Sequence, residues 1–166
     1  MTRDERLAQA VELRERGELE EARQLLLELR REHPDDPQVA VQTAWVHDSL
    51  GLEEEAVEHY RAAIAGGLAD EELRSALLGL GSTYRALGRD AESDVTFREG
   101  IDRFPDFAAL RVFRAMTLYN LDRSREAVQE LIHVLLETSS DPSIERYRRS
   151  LTGYADDLDR SWLDQH

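Results

Sequence analysis

Residues Leu77–Pro105 read LLGLGSTYRALGRDAESDVTFREGIDRFP, and the order of large and small side chains in this stretch decides the fold. Leu77 is followed by Leu80-Gly81, Tyr84, Ser93, Phe97 and Pro105. Gly88 stands between two amphipathic runs, where a chain reversing direction profits from a residue that accepts a left-handed backbone. Outward from here the order recurs three more times, more faintly. The turn residues Gly17, Gly51, Gly88 and Asp122 are spaced 34, 37 and 34 residues apart. Small residues recur in step: Ala10, Ala44, Gly81 and Ala115 before the turns, and Ala22, Ala56, Ser93 and Ala127 after them. Closely crossing antiparallel helices require a small residue on at least one side. Large residues keep the same register, as Leu13, His47, Tyr84 and Leu118, and as Leu26, Tyr60, Phe97 and Leu131.

These offsets resemble the tetratricopeptide repeat (TPR), with Leu77 for its usual Trp and Ser93 for its usual Ala. The match is uneven. The Trp position holds Arg6, Ala40, Leu77 and Arg111, and the following Leu position holds Gln9, Thr43, Leu80 and Arg114. The resemblance implies an all-α, right-handed TPR-type α-solenoid of four helix-turn-helix repeats, at about 3–36, 37–73, 74–107 and 108–140 of a single domain. A C-terminal capping helix at about 142–163 completes it. More narrowly, AWVHDSLG, LLGLGSTYRALG, FPDFAALRVF and SIERYRRSLTGYA resemble a small bacterial group of single-domain TPR proteins. That likeness implies the fold and no established activity.

The punctuation between repeats is physical. Pro34-Asp35-Asp36-Pro37 stops one helix and starts the next, Asp36 being a cap and Pro37 a first-turn residue. Gly66-Gly67-Leu68-Ala69-Asp70 breaks the second unit, and the three inserted residues of the 37-residue spacing are expected in this loop. Thr138 to Pro142 ends the fourth unit, and Ile144, Tyr147, Leu151, Tyr154, Leu158 and Trp162 stripe the last helix.

Composition removes whole classes of function. A formal charge of −14 argues against nucleic acid, whose binding rests on basic side chains neutralising phosphates. Without Cys there are no disulfides, thiolate metal sites or thiol nucleophiles. All 21 basic residues are Arg, so Schiff-base lysines and a Walker lysine are absent; Arg-only usage is also a compositional sign of a GC-rich bacterial genome. No secretory or membrane-length apolar run is present, and a cytoplasmic protein is expected.

Apparent catalytic motifs dissolve on inspection. His47-Asp48-Ser49 lists triad residue types, but successive helical residues diverge by about 100°, and His47 falls at an inward position. Gly79-Leu80-Gly81-Ser82 follows no strand and lacks the third glycine of a dinucleotide loop. Glu130 and His133 are half of a di-metal motif with no second half. Arg146, Arg148 and Arg149 form a tight basic cluster that could meet an acidic partner, but an Arg-rich solvated face or ion pairs with neighbouring Glu are the expected reading. No enzyme, cofactor or metal is expected.

In TPR proteins the first helices line a concave groove. Carried over by register, the lining here is Leu7 and Val11; Val41, Trp45 and Asp48; Leu78, Ser82 and Arg85; and Val112, Met116 and Tyr119. Some TPR proteins clamp a C-terminal carboxylate with Lys and Asn, but the corresponding places hold Leu7, Val11, Gln42, Leu78 and Ser82. The resemblance therefore implies an apolar groove for a protein partner's peptide or amphipathic helix. The alternative is a homodimer formed through that groove or the C-terminal stripe.

Overall fold

The first two helices to carry side-chain caps are the openers of the first two pairs. Thr2 accepts from the Glu5 amide while Glu5 reaches back to the Thr2 amide, a capping box that opens α1 (Arg3–Glu15). Asp36 accepts from the Gln38 and Val39 amides at the head of α3 (Pro37–Ser49), with Pro37 in the first turn. Between them lies α2 (Leu19–Glu32). The computed structural model describes residues 1–159, and continues with α4 (Glu53–Gly66), α5 (Asp70–Ala86), α6 (Asp90–Arg103), α7 (Ala109–Asn120), α8 (Ser124–Thr138), α9 (Pro142–Arg146) and α10 (Arg148–Asp156). No strand occurs among the described residues. No described helix is long and apolar enough to cross a membrane.

Helices pair as α1/α2, α3/α4, α5/α6 and α7/α8, and each second helix of the first three pairs also packs on the first helix of the next. This is the four-repeat solenoid expected from the spacing. The turn residues Gly17, Gly51, Gly88 and Asp122 all take positive φ, from 59° at Asp122 to 80° at Gly17. Asp122 occupies a conformation where the fourth unit has no glycine, which short polar residues tolerate better than most.

The small residues sit at the crossings. Ala22, Ala44, Ala56 and Ser93 are wholly buried. A Cβ on Gly81 would lie 2.7 Å from Phe97 Cε1. Tyr60 and Phe97 are among the largest fully buried side chains, and Leu26 and Leu29 hold the first pair against Val39 and Val46 of α3.

Two boundaries differ from expectation. The three inserted residues extend a helix instead of a loop: α5 runs 17 residues against 13 for α3. Asp70, Glu71 and Glu72 in its first turn oppose the positive helix end, and Leu73 is buried beneath them, so the extra turn is favoured at both levels. The last helix is interrupted at Tyr147, whose amide bonds back to Ile144 and Glu145, leaving α10 to lie along α8. Trp162 of the expected stripe lies outside the described residues.

Asp36 also ties two repeats together, because the Arg3 guanidinium donates to its Oδ2 at 2.7 Å. Burial pushes the Asp36 carboxyl up, but the Val39 amide, Arg3 and the Gln38 amide outweigh it and hold the group below its ordinary value of 3.8. A depressed folded value stabilises the fold above the ordinary carboxylate range, and that stability is lost as pH falls through the depressed value. Asp36→Ala is expected to cost about 1–2 kcal/mol in urea titration at pH 7. The deficit should shrink in acid below pH 3.8.

Candidate partner-binding surfaces

All the register-derived positions lie on first helices, and the structure divides them. Leu7 and Val11 of α1 are partly buried and form the apolar floor of an open cleft of about 410 Å³, rimmed by Asp4, Glu12, Glu15 and Gln38. Trp45 of α3 is partly covered, packed against the central core with the Arg14 guanidinium 5.6 Å from its ring centroid. Leu78, Ser82 and Arg85 of α5 and Val112 of α7 are partly exposed. Arg85 Nε donates to Asn120 Oδ1 at 2.7 Å, joining α5 to the end of α7. Met116 and Tyr119 are exposed, at 37% and 66%.

Of the expected lining residues, Val41 belongs to the interior and the partly buried Asp48 is turned toward it. Val41 has no exposed surface and packs within the core shared by α3, α4 and α5. Asp48, partly buried, accepts from Tyr60 Oη at 3.0 Å and from Thr83 Oγ1 at 3.3 Å, so each carboxylate oxygen already has a partner within the chain. Burial raises the Asp48 carboxyl above its ordinary value, against the pull of those two hydroxyls. The physical reason is how closely α5 stacks on α3. Gly79 gives Tyr60 the room it needs, and Thr83 completes the contact.

The residues of the apparent catalytic motifs do not converge on one another. His47 is buried, with Nδ1 2.8 Å from the Thr43 carbonyl, while the Ser49 hydroxyl donates to the Trp45 carbonyl. With Asp48 turned to Tyr60 and Thr83, these three residues address three different places. Glu130 accepts from Arg111, and His133 lies 3.8 Å from Asp156. Among the described residues no three His, Asp or Glu cluster as a metal site. Arg148 pairs with Glu145, as the charge pattern suggested.

A second cleft, of about 350 Å³, went unread in the sequence. Met116 and Tyr119 open onto it from α7, and Ala127, Val128 and Leu131 line it from α8. Leu131 holds a packing position by register yet is 42% exposed, and Val128 and Leu135 beside it are 44% and 41% exposed. The available signal was that no further repeat motif comes after residue 140 to cover that position.

A sequence model of the tetratrico peptide repeat matches residues 37–158. Among solved structures, a point mutant of MamA superposes with a TM-score of 0.70 at 17% identity, covering 81% of this chain and 76% of that one. A thermophilic TPR protein of Thermus thermophilus, TTC0263, aligns over 90% of this chain and 98% of its own, at 18% identity and a TM-score of 0.43. Pseudomonas aeruginosa pilF aligns over 92% and 88%, at 15% identity and 0.39. No curated protein matches the sequence. The family match spans most of the chain, the MamA superposition shows the same fold, and α1/α2 add one more pair in the same packing. With turns, small residues and helix pairing all in one register, the chain belongs to the tetratrico peptide repeat family, whose fold is that of a protein–protein interaction module.

Proposed function

We propose that this chain is a non-catalytic interaction module that binds a peptide or amphipathic helix of another protein along the face of its first helices, in the cytoplasm. One observation carries the reading: Leu7, Val11, Leu78 and Met116, on three different first helices, are left only partly covered by the packing that buries their neighbours. Apolar side chains at two register positions one helical turn apart are what an amphipathic helix reads. Trp45, partly buried, supplies an aromatic anchor of the kind that concentrates binding energy. Val41 is buried and not part of this surface, and the carboxylate of Asp48 is engaged by Tyr60 and Thr83.

The test uses a helical peptide selected from a random library on the immobilised protein. Leu7→Asp and Leu78→Asp should each weaken that peptide at least tenfold, about 1.4 kcal/mol or more. Val95→Asp, on an exposed position of α6, should leave it unchanged. Equal affinity for all three variants would place the ligand elsewhere. A second reading, self-association through the last helices, is favoured by Tyr147 and Tyr154, which are 56% and 45% exposed at the start of and along α10. It predicts a dimer in light scattering that Tyr154→Asp dissociates.

A further inference from the structure

We propose that the outer face of α8 is the vacant seat of a fifth first-type helix, filled in trans by an amphipathic helix of another protein whose flanks are basic. The argument is the repeat itself. Leu26, Tyr60 and Phe97 occupy equivalent places on α2, α4 and α6 and are 0%, 1% and 0% exposed, whereas Leu131 on α8 is 42% exposed. The residue one place after the crossing follows less strictly: Val57 and Asp94 are 4% and 7% exposed, Arg23 on α2 is partly buried, and Val128 is 44% exposed.

What covers the inner seats is visible. On α6, Phe97 meets the Phe113 ring at 6.5 Å, Ser93 Oγ lies 2.8 Å from Thr117 Oγ1, and Asp94 accepts from Arg114 at 2.7 Å. All three partners stand on α7. The α8 counterparts Ala127, Val128 and Leu131 instead wall the 350 Å³ cleft, with Met116 and Tyr119 opposite. The C-terminal helix does not take this place. Gln129 Nε2 donates to the Ala155 carbonyl at 2.7 Å, and Arg125 pairs with Asp159, so α10 lies against another flank of α8.

The chemistry of the occupant is set by the lining and the charge. The seat is almost wholly apolar, and its Ala-Val-large order is that of α4 at Ala56, Val57 and Tyr60, the face that α5 covers. A second copy cannot dock head to tail here. On α1, the places that Val39 and Val46 use to cover α2 hold Glu5 and Glu12, both exposed. The net charge of −14 draws a positively flanked helix toward the molecule and repels another copy of it.

The absence of Cys makes the test clean. A Leu131→Cys variant of the full chain carries one thiol, whose maleimide labelling reports cover on the seat. Two synthetic peptides serve as probes: residues 70–86, the α5 sequence, and the same peptide with D70K, E71K and E72K. A peptide of residues 3–16, the α1 sequence, is the control. Labelling of the free chain should be fast. Both α5-type peptides should slow it at least tenfold at saturation, the lysine form at a lower concentration and with an advantage that disappears at 0.5 M salt. The α1 peptide should not slow it. The proposal is overturned if labelling is slow without peptide, since the chain then covers itself. It is equally overturned if neither α5-type peptide protects at 1 mM, or if the unmodified protein is a dimer that Leu131→Arg dissociates. Leu7→Asp and Leu78→Asp, which test the first-helix groove, should leave this protection intact, so either reading can fail alone.

Discussion

Phe97→Ala is expected to remove about 3–5 kcal/mol of stability, a large share of the roughly 5–15 kcal/mol that a folded domain has to lose. Phe97 is fully buried, and its ring fills the space between α5, α6 and α7, touching the Gly81 site on one side and Phe113 on the other. Truncation leaves a cavity in the middle of a stack whose cohesion passes from each pair to the next, so the damage reaches both neighbours. The same contact can be attacked from its other side. In Gly81→Ala the new Cβ would sit 2.7 Å from Phe97 Cε1 and Cζ, and the ring, enclosed by Phe113, has nowhere to retreat. Overpacking of this kind costs about 1–3 kcal/mol. The two sites are coupled, which gives a sharper expectation. Gly81→Ala combined with Phe97→Leu should be less destabilised than the sum of the two single variants, by more than about 0.5 kcal/mol. Urea midpoints for the four proteins measure this directly, and strict additivity would show that the glycine is not there for the ring.

The second large effect is acid sensitivity centred on His59. Burial, His47 and Arg30 together depress its value from 6.5 to about 4, with Glu55 opposing them. The His47 ring lies tilted against it, centroids 4.8 Å apart. Between pH 6.5 and 4 the unfolded chain binds a proton that the folded chain refuses, so stability falls as pH is lowered across that window and levels off below it. Allowing for solvent screening of a partly exposed ring, the loss is about 1–2 kcal/mol. His59→Leu removes the titrating group, and its melting temperature should decline less steeply over the same pH range. Carboxylates such as Asp36 lose their contribution at lower pH in both proteins, so the difference between the two curves isolates the histidine. Parallel curves would mean that the imidazole is solvated in the fold.

The fold was legible in the sequence because its requirement is local and repeated. Small residues at crossings and left-handed turn residues at nearly constant spacing mark every unit, even where the Trp and Leu positions hold Arg6, Gln9 or Arg114. The candidate surface was only half legible. Register tells which way a side chain leaves its helix, but not how close the neighbouring helix stands. Gly79 lets α5 approach α4 and α3, and that approach buries Val41 and engages Asp48. The exposure of Leu131 is the opposite case. Its residue type and position match Leu26, Tyr60 and Phe97, and only the placement of the helices after α8 decides whether it is covered. The inserted residues show propensity at work: Asp70, Glu71 and Glu72 make a better first turn than they make a loop.

The buried core between α7 and α8 contains Ala115, Leu118 and Ala127, whereas the one spanning α3 to α5 includes Tyr60, Tyr84, Leu73, Leu77 and Leu80. Cohesion therefore declines toward the C-terminal end of the stack, and the last pair opens at lower free energy than the middle. A helix settling on α8 would supply the missing half of that thin core. Part of its binding energy would be spent tightening the last pair, so that occupancy at the end of the molecule is felt as rigidity further along it.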